Sequence, residues 1–247
     1  MKTVYQTFVI IAGFLLCSCN NMTISTGDGA NKIKGNGKIT ADVRNVNSFH
    51  AIDIQGVFNV ILQQGDKESV KVETDENIQP IVITEVKNDT LIVKFKDDYS
   101  IRDLQKIDVY ITLADITQLK TEGVGTLKCP SPLRLKQLTF NTEGVGATSL
   151  NITGDELVIK SEIVGELNLS GTEKNVTINH SGVGMIAAFN LKAENLSLTT
   201  DGVGAAEVFA SNAITINASG IGSVKYKGGA LTKNIKSDGV GKVTQVD

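Results

Sequence analysis

Residues 119–129 read LKTEGVGTLKC, and residues 140–150 read FNTEGVGATSL. The same word returns as IKSEIVGELNL at 159–169, INHSGVGMIAA at 178–188 and LTTDGVGAAEV at 198–208, then as INASGIGSVKY at 216–226 and IKSDGVGKVTQ at 235–245. Its recurring part is a pair of glycines around a β-branched residue: Gly123 and Gly125, Gly144 and Gly146, Gly182 and Gly184, Gly202 and Gly204, Gly220 and Gly222, Gly239 and Gly241. In the third copy Ile163 replaces the first glycine and Gly165 keeps the second. Successive copies lie 21, 19, 19, 20, 18 and 19 residues apart. A period near 20 marks a stacked repeat. It leaves room for short strands but not for a pair of helices.

Working outward, the flanks decide between strand and helix. Four residues before the motif stand Leu119, Phe140, Ile159, Ile178, Leu198, Ile216 and Ile235. Two residues after it come Leu127, Thr148, Leu167, Ile186, Ala206, Val224 and Val243. Apolar positions two apart belong to a strand with one buried face. The expected fold is therefore all-β, a parallel β-solenoid whose coils of about 19–20 residues bury their inward side chains against the coils above and below. All variation in coil length falls in one corner, for example 151–156 and 170–175. Insertions belong in surface loops, so that corner faces solvent.

The glycines fit a tight corner needing φ > 0, which glycine enters freely. Strict alternation points the central Val outward, but a glycine corner can reverse the parity. The adopted expectation is an inward, core-filling Val; the alternative is an exposed apolar ridge that self-associates.

The earlier part of the chain is β but less regular. Strands are expected at 51–59, 69–73, 81–86, 90–95 and 107–113, with hairpin turns at Lys87-Asn88-Asp89 and Gln64-Gly65-Asp66. Gly56-Val57-Phe58 reads as a degenerate copy of the motif. The head thus divides into irregular opening coils, 41–118, and regular coils, 119–247.

Ahead of it, Phe8–Leu16 reads FVIIAGFLL after Lys2, and Cys17-Ser18-Cys19 follows. This is a signal-peptide pattern over 1–18, too short to span a bilayer. Its end resembles the bacterial lipobox, which makes Cys19 the acylated N-terminus of a mature lipoprotein; an ordinary cleaved signal with an incidental Cys is the alternative. Residues 19–40, polar and Gly-rich, are expected to be a flexible tether. Asn20 rather than Asp after the Cys favours the outer membrane.

The chain resembles the auto-transporter adhesin head GIN domain family of bacterial lipoproteins. The resemblance covers roughly 45–235 and rests on FHAIDIQGVFNVILQQGDKESVKVE, on VKNDTLIVKF and on the Gly-Val-Gly repeats. It implies a right-handed single-stranded parallel β-helix of pectin-lyase type, with adhesion suggested and no enzyme activity established. The family's Asn in the motif survives here only as Asn59, which weakens any stacked Asn ladder at that corner.

Composition and motif searches point the same way. A formal charge of −3, from 24 basic and 27 acidic residues, provides no footprint for nucleic acid. The column before the motif holds Glu122, Glu143, Glu162, Ser181, Asp201, Ser219 and Asp238. It is read as a solvated face, with Ca²⁺ bridging as the alternative. His180 is read as a substitution in a column of Thr and Ser, His50 as lying without an acidic or Cys constellation, and Cys129 as a buried small hydrophobe. With no Trp in 247 residues, the aromatic platforms of a sugar-processing groove are scarce. No catalytic residue, cofactor or metal site is assigned. The expected protein is a non-enzymatic, lipid-anchored envelope scaffold for adhesion or binding, with an unidentified protein or glycan ligand and the capacity to form homo-oligomers. A β-helix polysaccharide lyase or hydrolase, or a calcium-stabilised structural protein, is the alternative.

Overall fold

The computed structural model describes residues 23–25 and 31–247. Its strands, in chain order, are β1 (Thr23–Ser25), β2 (Asn31–Lys34), β3 (Ile39–Arg44), β4 (Ala51–Gln64), β5 (Ser69–Asp75), β6 (Val82–Lys87), β7 (Thr90–Phe95), β8 (Tyr99–Arg102) and β9 (Ile107–Leu113). They continue with β10 (Gln118–Lys128), β11 (Leu133–His180), β12 (Val183–Thr200), β13 (Val203–Ala218), β14 (Ile221–Lys227), β15 (Thr232–Ser237) and β16 (Val240–Gln245). One three-residue 3-10 turn, Gln79–Ile81, interrupts them.

The motif-bearing strands, β4 and then β10 onward, stack in parallel, motif on motif. Gly123 pairs with Gly56 and Gly125 with Phe58. Gly144 and Gly146 then pair with Gly123 and Gly125, and the order continues through Gly184, Gly204, Gly222 and Gly241. Register shifts fall between Asn168 and Ser170 and between Ala188 and Asn195, the corner to which the sequence assigns the variation in length. The inward columns expected from alternation are buried, Leu119, Phe140, Ile159, Ile178, Leu198 and Ile216 among them. Each such side chain stabilises the stack by about 1.5–3 kcal/mol.

The opening is where the sheet becomes mixed. Strand β4 is the base rung: its first half pairs in parallel with β7 and its second half with β9. Beneath it β6 and β7 form an antiparallel hairpin. Asn88 and Asp89 close that hairpin at φ 48° and 64°, the paired left-handed geometry of a two-residue turn. Strands β9, β5 and β3 continue antiparallel. The expected hairpin at Gln64-Gly65-Asp66 does not form, because β9 inserts between β4 and β5 and parallel pairing with β4 takes the edge the hairpin would have used. Two short strands also lie within the stretch expected as tether: β1 and β2 flank β8, with Ile24 buried and Ile33 packed on the core.

The base rung explains why Phe58 stands where later copies carry glycine. No glycine rung lies below it, and its ring stacks on Phe95 at 4.7 Å and 15°, closing the bottom of the corner. At the other end Lys233, Lys236 and Lys242 occupy the last rung, where charge discourages edge-to-edge pairing.

The central Val corrects the adopted expectation. Val124, Val145, Val164, Val183, Val203, Ile221 and Val240 point outward, 47–73% exposed. The reason lies in the glycines. Gly123 and Gly125 sit at φ 131° and 144°, mirror-image extended conformations that keep the chain straight enough for alternation to pass through. Positions 119, 121, 123, 125 and 127 therefore all face inward, and Val124 faces water.

Candidate functional site

The glycine corner is built by close approach of one rung to the next. A Cβ on Gly146 would overlap the carbonyl oxygen of Gly125, and one on Gly204 that of Gly184. Such an overlap cannot be relieved without moving a whole rung; first glycines such as Gly144 and Gly182 meet it too, but only the second glycine is kept in every copy. The first position is more permissive. Ile163 occupies it without a positive φ, buries its side chain and fills the corner between two narrow hollows, one lined by Phe58, Thr121 and Thr142, the other by His180, Thr200 and Ala218.

Inside this corner the polar column is self-satisfied. Thr121 Oγ1 donates to Thr142 Oγ1 at 2.9 Å, and His180 Nδ1 lies 3.2 Å from Ser161 Oγ. Burial pushes the His180 imidazole below its ordinary pKa. The ring is buried and packed within the column.

Outside, the Val file is the dominant feature. Its acidic neighbours Glu143, Glu162, Asp201 and Asp238 are exposed, and Glu122 pairs with Lys120 at 2.5 Å. Among the described residues no three His, Cys, Asp or Glu side chains gather as metal ligands would.

The variable corner carries different chemistry. Asn195 Nδ2 donates to Asn175 Oδ1 at 3.0 Å, and Asn212 Nδ2 to Asn195 Oδ1 at 2.8 Å. The stacked Asn ladder that the sequence discounts at the glycine corner thus exists here, one rung above another. Lys192 Nζ lies 4.3 Å from the Phe209 ring and Lys227 Nζ 4.4 Å from the Phe189 ring. Phe189, Lys227, Asn168 and Asn190 line a groove on the stack.

Glu173 is the unexpected member. It is buried, and neither carboxylate oxygen has a hydrogen-bond partner. It fits because Gly154, one coil below, and Ala193, paired above, leave space. Burial, with a smaller contribution from Asp155, pushes its pKa up to about 7. No sequence signal isolates it, because the register shifts in this corner defeat counting by twos.

The remaining candidates resolve as follows. The Cys129 thiol is buried and donates to Ser131 O at 2.7 Å, and burial pushes its pKa up. His50 is not without an acid: its Nδ1 lies 2.9 Å from Asp89 Oδ2 across the β4–β7 rungs, and this carboxylate raises its pKa. Both side chains are exposed, which makes this a surface pair. Cys19 lies outside the described residues. No helix among the described residues is long and apolar enough to cross a membrane.

Comparison with known proteins places this geometry. A crystal structure described as a putative adhesin from Bacteroides fragilis NCTC 9343 superposes with a TM-score of 0.82 at 27% identity, covering 87% of this chain and all of that one. A putative adhesin from Parabacteroides distasonis ATCC 8503 gives 0.61 at 25% identity, over 87% of this chain and all of the other. A putative lipid binding protein from the same strain gives 0.67 at 20% identity, over 88% of this chain and all of its own; at that identity it speaks for the fold alone. No curated protein matches. The profile of the family described as "Putative auto-transporter adhesin, head GIN domain" matches residues 48–230, the span from the base rung through the sixth Gly-Val-Gly copy, and the chain belongs to that family.

Proposed function

We propose that this protein is a lipid-anchored, non-enzymatic scaffold of the bacterial cell envelope, used for adhesion or binding. Its stack is read as a right-handed single-stranded parallel β-helix, with motif-on-motif parallel register as the support. The observation that carries the reading is the outward Val file. A rigid stack presenting one repeated apolar feature to solvent is built for contact rather than for turnover. The adhesin descriptions of its structural relatives point the same way. The carboxylates of the glycine corner stand in a single file one rung apart, without a facing partner across a cleft, whereas glycoside hydrolysis needs a pair flanking the bond.

Anchoring rests on Leu16-Cys17-Ser18-Cys19. Acyl chains on Cys19 would hold the head at the membrane, each buried CH₂ contributing ~0.8 kcal/mol, and Asn20 favours the outer membrane. Cys19→Ala is expected to move the protein from the membrane fraction to the soluble fraction. Unchanged partitioning would remove the lipid anchor from this account.

A further inference from the structure

The Val file has no covering segment among the described residues. It runs over seven rungs at ~4.8 Å each, so it is about 29 Å long. One knob per rung stays in contact along its whole length only with a surface of the same repeat, and a second copy of this chain provides it. We infer that two copies dock ridge on ridge, with both stacks pointing the same way and the two-fold axis running along the ridge.

The orientation follows from the unequal flanks of the file. Two residues before the Val lies the acidic column. Two residues after it the side chains are mostly small or neutral, such as Ala147 and Ala205. Rotation about an axis along the ridge lays the acidic column of one copy over the neutral column of the other, rung for rung. Glu143 then faces the partner's Ala147, Asp201 faces the partner's Ala205, and Asp238 faces the partner's Lys242 as an opposite charge. Glu162 opposite the partner's Glu166 is the one like-charge meeting. Rotation about an axis across the ridge instead lays acid on acid, with Glu122 against the partner's Asp238 and Glu162 against the partner's Asp201. Like charges brought together at an interface oppose that arrangement. The parallel arrangement also sends both N-terminal ends toward the same side, as two chains leaving one membrane require.

The ridge and its flanks, roughly 29 Å by 15 Å, bury about 400 Å² per copy, half the share of a standard interface. The solution dimer is therefore weak, at micromolar concentration or above. Single cysteines in the full-length protein, purified in mild detergent, test both the contact and its direction. Val124→Cys, near one end of the file, and Val183→Cys, at its centre, are oxidised and the linked peptides mapped by mass spectrometry. A disulfide between two copies of residue 124, and another between two copies of residue 183, each at least tenfold above the wild-type background, is the expected result. Linkage at 183 without 124 overturns the parallel arrangement, and linkage at neither overturns the dimer. In sedimentation equilibrium, Val145→Asp with Val203→Asp should raise the dimer Kd at least tenfold while far-UV circular dichroism is unchanged; an unchanged Kd overturns the ridge as the contact.

Discussion

The stack has two corners, and they obey different rules. At the glycine corner every rung is the same length, the backbones touch, and the residue facing water is a β-branched one in all seven copies. At the variable corner coil length changes from rung to rung, and side chains do the joining: Asn175, Asn195 and Asn212 bond one above another, and lysines lie over Phe189 and Phe209. Single glycines of the variable corner also meet a backbone carbonyl, Gly154 that of Leu135 and Gly171 that of Ile152, but only the glycine corner repeats this contact rung after rung, and only the variable corner accepts insertions. The first presents a uniform ridge, and the second a surface on which individual chemistry can accumulate.

The largest way to break this contrast is to add one methyl group. Gly146→Ala forces a Cβ into the Gly125 carbonyl at φ 153°. Backbone strain there costs about 1–3 kcal/mol, and displacing the rung costs hydrogen bonds worth about 1 kcal/mol each. Thermal unfolding should show a loss of at least ~3 kcal/mol, a fall in Tm of about 6–12 °C. Gly229→Ala, in the variable corner with nothing within 4 Å of its Cβ, should stay within about 0.5 kcal/mol. Equal effects at the two sites would dissolve the distinction between the corners.

A smaller effect sharpens the other side. The Glu173 carboxyl is raised from the ordinary 4.5 to about 7 by burial, so it favours the neutral form in the fold. The stability that neutral form contributes is fully present below pH ~4.5 and is lost as pH rises through 7. At 1.36 kcal/mol per unit, the loss by pH 8 is about 3 kcal/mol. Glu173→Gln should recover that amount at pH 8 and change little at pH 4. Denaturant melts at the two pH values check it, and parallel wild-type and variant curves would mean that the carboxylate is solvated.

How legible this was depends on which corner is considered. The register of the glycine corner follows from periodicity alone, since seven copies of one word leave a single way to stack. Five of the opening strands are equally plain in the alternation of residues such as those of Thr90–Phe95, whereas β1, β2, β3 and β8 are too short or too polar to stand out. The Val faces opposite to the expectation because glycines at positive φ adopt the mirror-image extended conformation, which preserves alternation. The insertion of β9 between β4 and β5 is non-local, and the Gln64-Gly65-Asp66 turn carries no sign of it. Glu173 and the Asn ladder lie where insertions shift the count, so neither burial nor pairing can be counted along the chain. Family membership adds the fold and the adhesin reading, not a ligand.

The claim on which the ridge, the dimer and the binding function all rest is that the Val column faces water. Val145→Cys in the full chain, exposed to a thiol reagent and followed by peptide mapping, tests it against an internal standard, the buried Cys129. The account predicts that residue 145 is labelled at the rate of an exposed thiol while Cys129 stays unlabelled until the protein unfolds. Protection of residue 145 equal to that of Cys129 would place the column in the core and contradict it.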